Sequence, residues 1–479
     1  MDDIAMEDPG AVLEDRFGRQ RSLARAEIEV PWPVRRDRLQ RLRALLLEHE
    51  QEFAAAIAAD FGARARQETR LLELFPSLEG IRHALGHTRT WMRPRARHTG
   101  RWFLPARSEV LPQPLGVVGI VAPWNYPLLL VAGPLTAAFA AGNRAMAKLS
   151  EFTPAFGARF AARAAEYFTA EELWVANGGV ELAQAFCALP FDHLLFTGST
   201  RVGGQVMRAA SENLTPVTLE LGGKSPALIG PSADFPKAVE RIMAGKLLNA
   251  GQTCIAPDYV LLPEGRVAAF IAAARAFVAT RYPGLGDPKA AAAQPDYTSI
   301  IDGAHFERLA RLVEDAVSLG AERVSLADGA GTPFGRQFLP VVLTGVPASA
   351  QVMQEEIFGP ILPLMPYRSL AEALAFVNAR PRPLAFYLFE RDARVIREVL
   401  HSTVSGGVCV NETLLHIAQD DLPFGGIGPS GMGAYHGEKG FETFSHYKPV
   451  FRQSRLNLMK LFLPPYGRRF DALVRVLVR

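Results

Sequence analysis

The sequence predicts an α/β fold with parallel sheets in at least two domains, on three observations. Short β-rich apolar runs alternate with helical runs along the middle of the chain, the pattern of strands joined by crossover helices. The alternation starts again near Leu219. The length, 479 residues at 52.2 kDa, exceeds what one simple core serves and suits two or three domains.

The elements follow in chain order. The first hundred residues read as helices, with Leu39, Leu42, Leu46, Phe53 and Ile57 at helical spacing and a second helical stretch from about Gln67 to Trp91. Strand and helix then alternate: VVGIVAP and PLTAAFAAG, AMAKLS and FGARFAARAAEYF, HLLFTGS and RVGGQVMRAASE. TPVTLEL and SPALIG open a second block, followed by a helix from about Phe235 to Leu248. VLLPEG leads into a helix over Val267 to Ala279, and FERLARLVEDAVSLG is a further amphipathic helix. The block ends near GGVCVN, around Cys409.

Composition sets limits on function. Hydrophobic residues at 49% and charged residues at 21% exclude a disordered, collagen-like or coiled-coil chain. The net charge of +3 is unevenly spread: Lys448 to Arg479 carries +7 and the remainder −4. An acidic body argues against nucleic acid as a partner. Three cysteines, Cys187, Cys254 and Cys409, make no disulfide framework and no zinc pattern, so no metal is expected and the cytoplasm is the expected compartment. The N-terminus MDDIAMEDPG has no apolar segment of a secretory signal. Val110 to Asn143 lacks charge but contains Pro123, Asn125, Pro127 and Pro134. It reads as a buried strand, a loop and a buried helix, since backbone breaks are costly in lipid.

Several motifs carry chemistry, each with a plainer alternative. In HLLFTGSTRVGGQVM, Gly198 and Gly203 are five apart, so this is not the GxGxxG fingerprint. Gly198 still permits a close turn, Ser199 adds a hydroxyl, and the helix that follows offers N–H groups to a phosphate; an ordinary strand-helix turn is the alternative. Lys148 and Glu151 stand at a strand end, where open α/β sheets bind ligands, and suit two ribose hydroxyls or form a surface ion pair. Cys254 in NAGQTCIAPDY is a nucleophile or a buried small hydrophobe. Glu220 ends an apolar strand. It is a desolvated general base or a carboxylate satisfied by backbone N–H groups. Asn125 in PWNYP offers a rigid amide to an oxyanion or closes a turn. EEIFGP, with Glu355, Glu356 and Phe358, clamps a ribose and a flat ring or is a loop with one buried phenylalanine.

PWNYP, KLSE, FTGSTRVG, ELGGKSP, GQTC, EEIFGP and PFGGIGPSGMG occur together in the order found in the aldehyde dehydrogenase superfamily, and 34 residues separate Glu220 from Cys254 as in that family. The resemblance runs from about Arg35 to Val450. GQTCIAPDYVL and PFGGIGPSGMGAYHGEKGFETFSHYKP resemble the class 3 and fatty aldehyde branch, and NETLLHIAQDDLPFGG with the later PPYG is most similar to coniferyl aldehyde dehydrogenases.

The resemblance implies an aldehyde dehydrogenase-like fold of two Rossmann-type parallel-sheet domains with a small β oligomerisation arm. It implies 1–218 as N-terminal helices and NAD-binding domain, with oligomerisation strands near 98–115. The catalytic domain takes 219–405, a return to the first region 406–450, and a basic tail 451–479. It implies Cys254 as nucleophile, the Asn125 amide and the Cys254 N–H as oxyanion donors, and Glu220 as the base that activates water. The cofactor is NAD, held by Trp124, Lys148, Glu151, Gly198, Ser199, Gly203, Leu221, Gly222, Glu356 and Phe358. NADP stays open, although the Glu151 charge disfavours a 2′-phosphate. Leu149 replaces a common proline, and Thr253 replaces a second cysteine of some branches. The expected substrate is a coniferyl-like aromatic aldehyde, with medium or long aliphatic aldehydes as the alternative and a homodimer as the expected assembly. A CoA-acylating enzyme typically lacks an acid at the Glu220 position. A non-catalytic protein on this fold would have no need of Cys254, Glu220 and Asn125 together.

The tail is too interrupted by charge to span a membrane. Phe470, Leu473, Val474 and Leu477 share one face of a short basic amphipathic helix. Three placements are open: packing on the body or on a dimer partner, bordering the substrate entrance, and contact with a membrane surface.

Overall fold

The computed structural model describes residues 9–287, 294–327, 334–457 and 459–478. Residues 1–8, on which the reading of the N-terminus rests, and Arg479 of the tail lie outside these.

Five parallel strands form the first sheet. Their spatial order is Leu173–Ala176, Arg144–Lys148, Val117–Val121, His193–Thr197, Val217–Glu220, and the short strand Gly431–Met432 adds antiparallel at the far edge. The order reverses between Val117–Val121 and His193–Thr197. In doubly wound sheets a ligand crevice opens there, beyond the carboxyl ends of the strands. Every residue of Val117–Val121, Arg144–Lys148 and His193–Thr197 is buried, because helices cover both faces. The charge-free stretch is explained by the same packing. It supplies Val117–Val121 and then the helix Leu129–Ala141, which is buried along nearly its whole length. Among the described residues no helix is long and apolar enough to cross a membrane.

The second sheet has seven strands in the order Glu322–Ser325, Val341–Thr344, Ile361–Tyr367, Tyr259–Pro263, Pro226–Ile229, Ala385–Phe389, Gly407–Val410. All neighbours are parallel except the first pair. The third sheet is antiparallel, Arg95–Arg97 with Arg107–Pro114 and then Ser445–Arg452.

Two boundaries differ from the sequence expectation. Val217–Glu220, which opened the second block in the sequence, pairs with His193–Thr197 and completes the first sheet. The chain crosses between sheets after Glu220, not at 218/219. It leaves the second sheet after Gly407–Val410, not at 405/406. A strand's local pattern does not name its neighbour. The arm strands lie at 95–97 and 107–114 with a helical turn Arg101–Phe103 between them, inside and beside the expected 98–115.

The tail forms the helix Arg468–Leu477, which buries no residue and packs on the turn Met459–Phe462. Deleting 463–479 is expected to leave hydride transfer to bound cofactor unchanged while altering substrate preference or thermal stability. A folded deletion variant without hydride transfer would contradict this.

Candidate active site

Three loops meet between the first two sheets. Helix Phe235–Leu247 ends and the chain turns through Asn249 and Ala250, both at φ 51, before reaching Cys254. Left-handed backbone at two residues other than glycine is strained and persists only where the surroundings enforce it. The neighbouring Gly251 is required outright, because a Cβ there would lie 2.5 Å from the Gly359 carbonyl oxygen. That approach seats the EEIFGP loop against the Cys254 loop.

Cys254 is half-buried and free. Burial pushes its thiol up, and the Glu356 and Glu220 charges add to this, against the pull of the Cys254 and Ile255 backbone N–H groups. The resting group is therefore a thiol whose sulfur has two N–H groups beside it.

Glu220 ends its strand 2% exposed, and neither carboxylate oxygen has a hydrogen-bond partner. The alternative of a carboxylate satisfied by backbone N–H groups is excluded. Burial raises its pKa well above the ordinary range, as expected of a group whose charge is unsolvated. Tyr435 is buried, and its phenol feels the charges of both Glu220 and Cys254.

Asn125 is 3% exposed, and its Nδ2 donates to the Gln252 carbonyl at 3.2 Å. Its own carbonyl accepts from Asn249 Nδ2 at 3.0 Å. The next residue, Tyr126, shares a 2.6 Å hydrogen bond with the Thr253 hydroxyl. The PWNYP loop is thus stitched to the two residues before Cys254, and the amide of Asn125 is brought to the same loop as the thiol.

The expected cofactor residues divide into two groups. At the first strand ends, Lys148 Nζ pairs with Glu151 at 2.8 Å. Lys148 is only 2% exposed while Glu151 stands at the surface, so the pair runs from the buried strand end out to solvent. Ser199 caps helix Thr200–Ser211, accepting from the Val202 N–H at 3.4 Å. Gly198 lies against the Phe196 ring and Gly203 against Leu221, with Cβ atoms there falling 2.5 and 2.6 Å from those side chains. Both glycines therefore permit close packing under the helix start.

The second group gathers at Glu356. A Cβ on Gly222 would fall 1.9 Å from its carboxylate, and the Gly223 N–H donates to it. Its Oε1 has no partner. Burial and then Asp258 push Glu356 up to about 8. Lys224 pairs with Asp258 and donates to the Val352 and Glu355 carbonyls at 2.7 and 3.0 Å. Asp258 Oδ1 accepts the Ile357 N–H at 2.9 Å. The family-motif lysine Lys224 is therefore a strut that fixes the Glu356 loop. Phe358, at φ 53, packs edge-on against Trp124 with centroids 5.4 Å apart. Trp124 in turn meets His305 at 5.2 Å. All three expected catalytic residues thus converge, and Trp124, Leu221, Gly222, Glu356 and Phe358 adjoin them.

A family model described as the aldehyde dehydrogenase family matches residues 22–450, which is most of the chain. The chain belongs to the aldehyde dehydrogenase family. It is 51% identical over 466 residues to a probable coniferyl aldehyde dehydrogenase of Pseudomonas aeruginosa, covering 96% of this chain and 95% of that protein. The substrate-bound state of Staphylococcus aureus AldH superposes with a TM-score of 0.89 at 37% identity, over 97% of this chain and 99% of that one. Aldehyde dehydrogenase C of Pseudomonas syringae, in complex with NAD+ and octanal, superposes at 0.82 and 28% identity, over 94% and 90% of the two chains.

Sequence reasoning missed several residues of this aldehyde dehydrogenase's centre. Arg64, Glu68 and Glu73 are buried polar groups. A helix rich in Arg and Glu reads as a solvated face, and nothing local marks these three as inward. Breaking a buried ion pair from one side costs ~3–5 kcal/mol, so such groups are not incidental. Lys246 is also wholly buried, with no partner for Nζ, and burial pulls it down to about 8. Its rarity among eight lysines was the one available signal. Tyr435 sits within the PSGMGAYHG motif, among glycines that carry no sign of a phenol's role.

Proposed function

We propose that this aldehyde dehydrogenase oxidises a coniferyl-like aromatic aldehyde to the carboxylic acid with NAD(P). The observation that carries the proposal is the buried Glu220 carboxylate without a hydrogen-bond partner, whose charge reaches the thiol of Cys254, with the Asn125 amide tied to the same loop as that thiol.

In this reading Cys254 Sγ gives its proton to water and attacks the aldehyde carbonyl carbon, giving a thiohemiacetal. The developing oxyanion is taken by the Asn125 Nδ2–H and the Cys254 backbone N–H. Bound NAD(P) would supply the hydride acceptor, and loss of hydride would leave the adduct as a thioacyl ester on Cys254. Glu220 then removes a proton from water as it attacks that ester, and the acid leaves with the thiol restored.

The residues fit the cofactor. Glu151 and Lys148 would hold the adenine ribose at a buried strand end, and the Ser199 helix start would face the pyrophosphate. The unpartnered Oε1 of Glu356 would hydrogen-bond a ribose hydroxyl. Glu151 is held below the usual carboxylate range: burial works against this, but the Lys148 hydrogen bond and charge outweigh it. The anion should repel a 2′-phosphate. Glu151→Ser is expected to raise the NADP-to-NAD ratio of kcat/KM roughly tenfold; an unchanged ratio would remove Glu151 from cofactor choice.

The substrate class draws support from the relative's name and from the aromatic side chains near the thiol, Tyr435 and Tyr387. Tyr387 donates to the carbonyl of Ile255, beside Cys254. The homodimer belongs to the proposal too. Among the described residues nothing pairs with the outer edge of Ser445–Arg452, which suits it to meet a second copy. The cytoplasm is the proposed compartment, supported by three free cysteines. A panel of aryl and alkyl aldehydes, followed by NAD(P)H absorbance with each cofactor, tests the substrate class. Higher kcat/KM for coniferyl aldehyde than for octanal is expected; the reverse order would assign the enzyme to aliphatic aldehydes.

A further inference from the structure

We infer that Arg64 is a positioning residue of the catalytic centre, whose buried guanidinium sets the Asn125 backbone and thereby the aim of the Asn125 amide. The inference rests on the oxyanion role proposed for Asn125.

The geometry is specific. Arg64 Nη1 donates to the Asn125 carbonyl at 3.0 Å, the same oxygen that Asn249 Nδ2 reaches from the Cys254 loop. The guanidinium lies over the rings of Phe61 and Tyr126, 4.9 and 5.2 Å from their centroids. Its Nη2 is 2.9 Å from Glu73 Oε1, with both side chains fully buried. That contact is an ion pair off the hydrogen-bond line.

Glu73 lies in a π-helical turn, Arg70–Leu74, between the helices Arg66–Thr69 and Phe75–Trp91. A π turn inserts one residue into a helix; such turns are rare and are frequent at functional sites. Here Glu73 Oε2 accepts the Leu128 and Leu129 N–H groups at 2.8 and 3.3 Å. It thereby caps helix Leu129–Ala141, which has no side-chain cap of its own. Glu68 completes the set. Its Oε1 accepts the Asn249 N–H at 3.1 Å, and its Oε2 accepts from the Thr298 hydroxyl at 2.5 Å.

One cation from the connection before Arg66–Thr69 and two carboxylates from the helical turns that follow therefore grip both loops of the centre. Glu73 fixes the chain after Asn125, Glu68 fixes the strained Asn249, and Arg64 holds Asn125 between them. Apolar side chains would fill this volume with less desolvation cost. Charged groups aimed at backbone atoms of the two loops do what packing alone does not: they fix orientation to fractions of an ångström, which oxyanion donors need.

A double-mutant cycle on the full-length enzyme with saturating NAD tests this, with circular dichroism and Tm recorded for each variant. Asn125→Ala is expected to lower kcat by ~10²–10³-fold. Arg64→Met is expected to lower kcat at least ~tenfold, with the NAD KM within about twofold of the wild type. In the Asn125→Ala background Arg64→Met should cost little further, because the amide it aims is already gone. Should Arg64→Met not fold, Arg64→Lys takes its place in the cycle: it keeps the charge for Glu73 but loses the planar fork that reaches Asn125. A merely structural role predicts equal losses in both backgrounds, or a lowered Tm with normal kcat, and either result overturns the inference while leaving the role of Asn125 intact. A normal kcat in Asn125→Ala overturns both.

Discussion

Cys254→Ala is expected to abolish NAD(P)H formation from every aldehyde, lowering kcat at least ~10³-fold. The loss should be of chemistry and not of fold. Cys254 is only half-buried, and alanine removes one sulfur from a loop already fixed by Gln252, Asn249 and Tyr126. NAD affinity and Tm should therefore stay near the wild-type values. Of the three cysteines this is the one where the effect is expected. Cys187 is buried, and burial pushes its thiol up to about 11. Cys409 sits on the last strand of the second sheet with a raised thiol. Cys187→Ala and Cys409→Ala should change stability more than rate. Residual turnover in Cys254→Ala above a thousandth of the wild type would move the nucleophile elsewhere.

Glu220→Gln is expected to separate the two halves of the reaction. The glutamine keeps the shape of the side chain and loses the base. Hydrolysis of the thioacyl ester should slow by ~10²–10⁴-fold, while a first burst of NAD(P)H, equal to the enzyme present, remains. The pH dependence follows from the same burial. A base must be ionised to work, and desolvation holds Glu220 protonated well above the ordinary carboxylate range. The hydrolytic rate of the wild type should thus rise with pH through the raised Glu220 pKa, and Glu220→Gln should lose that rise. Burst and steady state slowed by the same factor would count against the assigned role, as would an unchanged pH profile.

Much of this centre was legible because its parts are local. The glycines that let loops approach, the acid at a strand end and the cysteine in a turn each lie in a window of a few residues. Each window was ambiguous, and the order of the windows resolved it. The sheet edges were not legible. Val217–Glu220 reads as a strand in sequence, but its partner, His193–Thr197, is a matter of long-range pairing. The bracing residues were illegible for a related reason. Arg64 and Glu73 act on residues about sixty positions away, and a π turn that rotates one acid inward leaves no periodic trace. Lys224 stood in a motif, yet its work as a strut under the Glu356 loop is visible only from its contacts with Asp258, Val352 and Glu355. The tail helix was foreseen from its pattern, but the pattern does not name the surface it meets.

The most direct measurement of the central claim is the stoichiometry of one turnover at a named sulfur. Glu220→Gln enzyme would be mixed with NAD and coniferyl aldehyde, quenched, and analysed by NADH absorbance and peptide mass. The account predicts one NADH per active site and the mass of the acyl group on the peptide that carries Cys254. NADH without an adduct on that cysteine, or no NADH from any aldehyde with the wild-type enzyme, would contradict it.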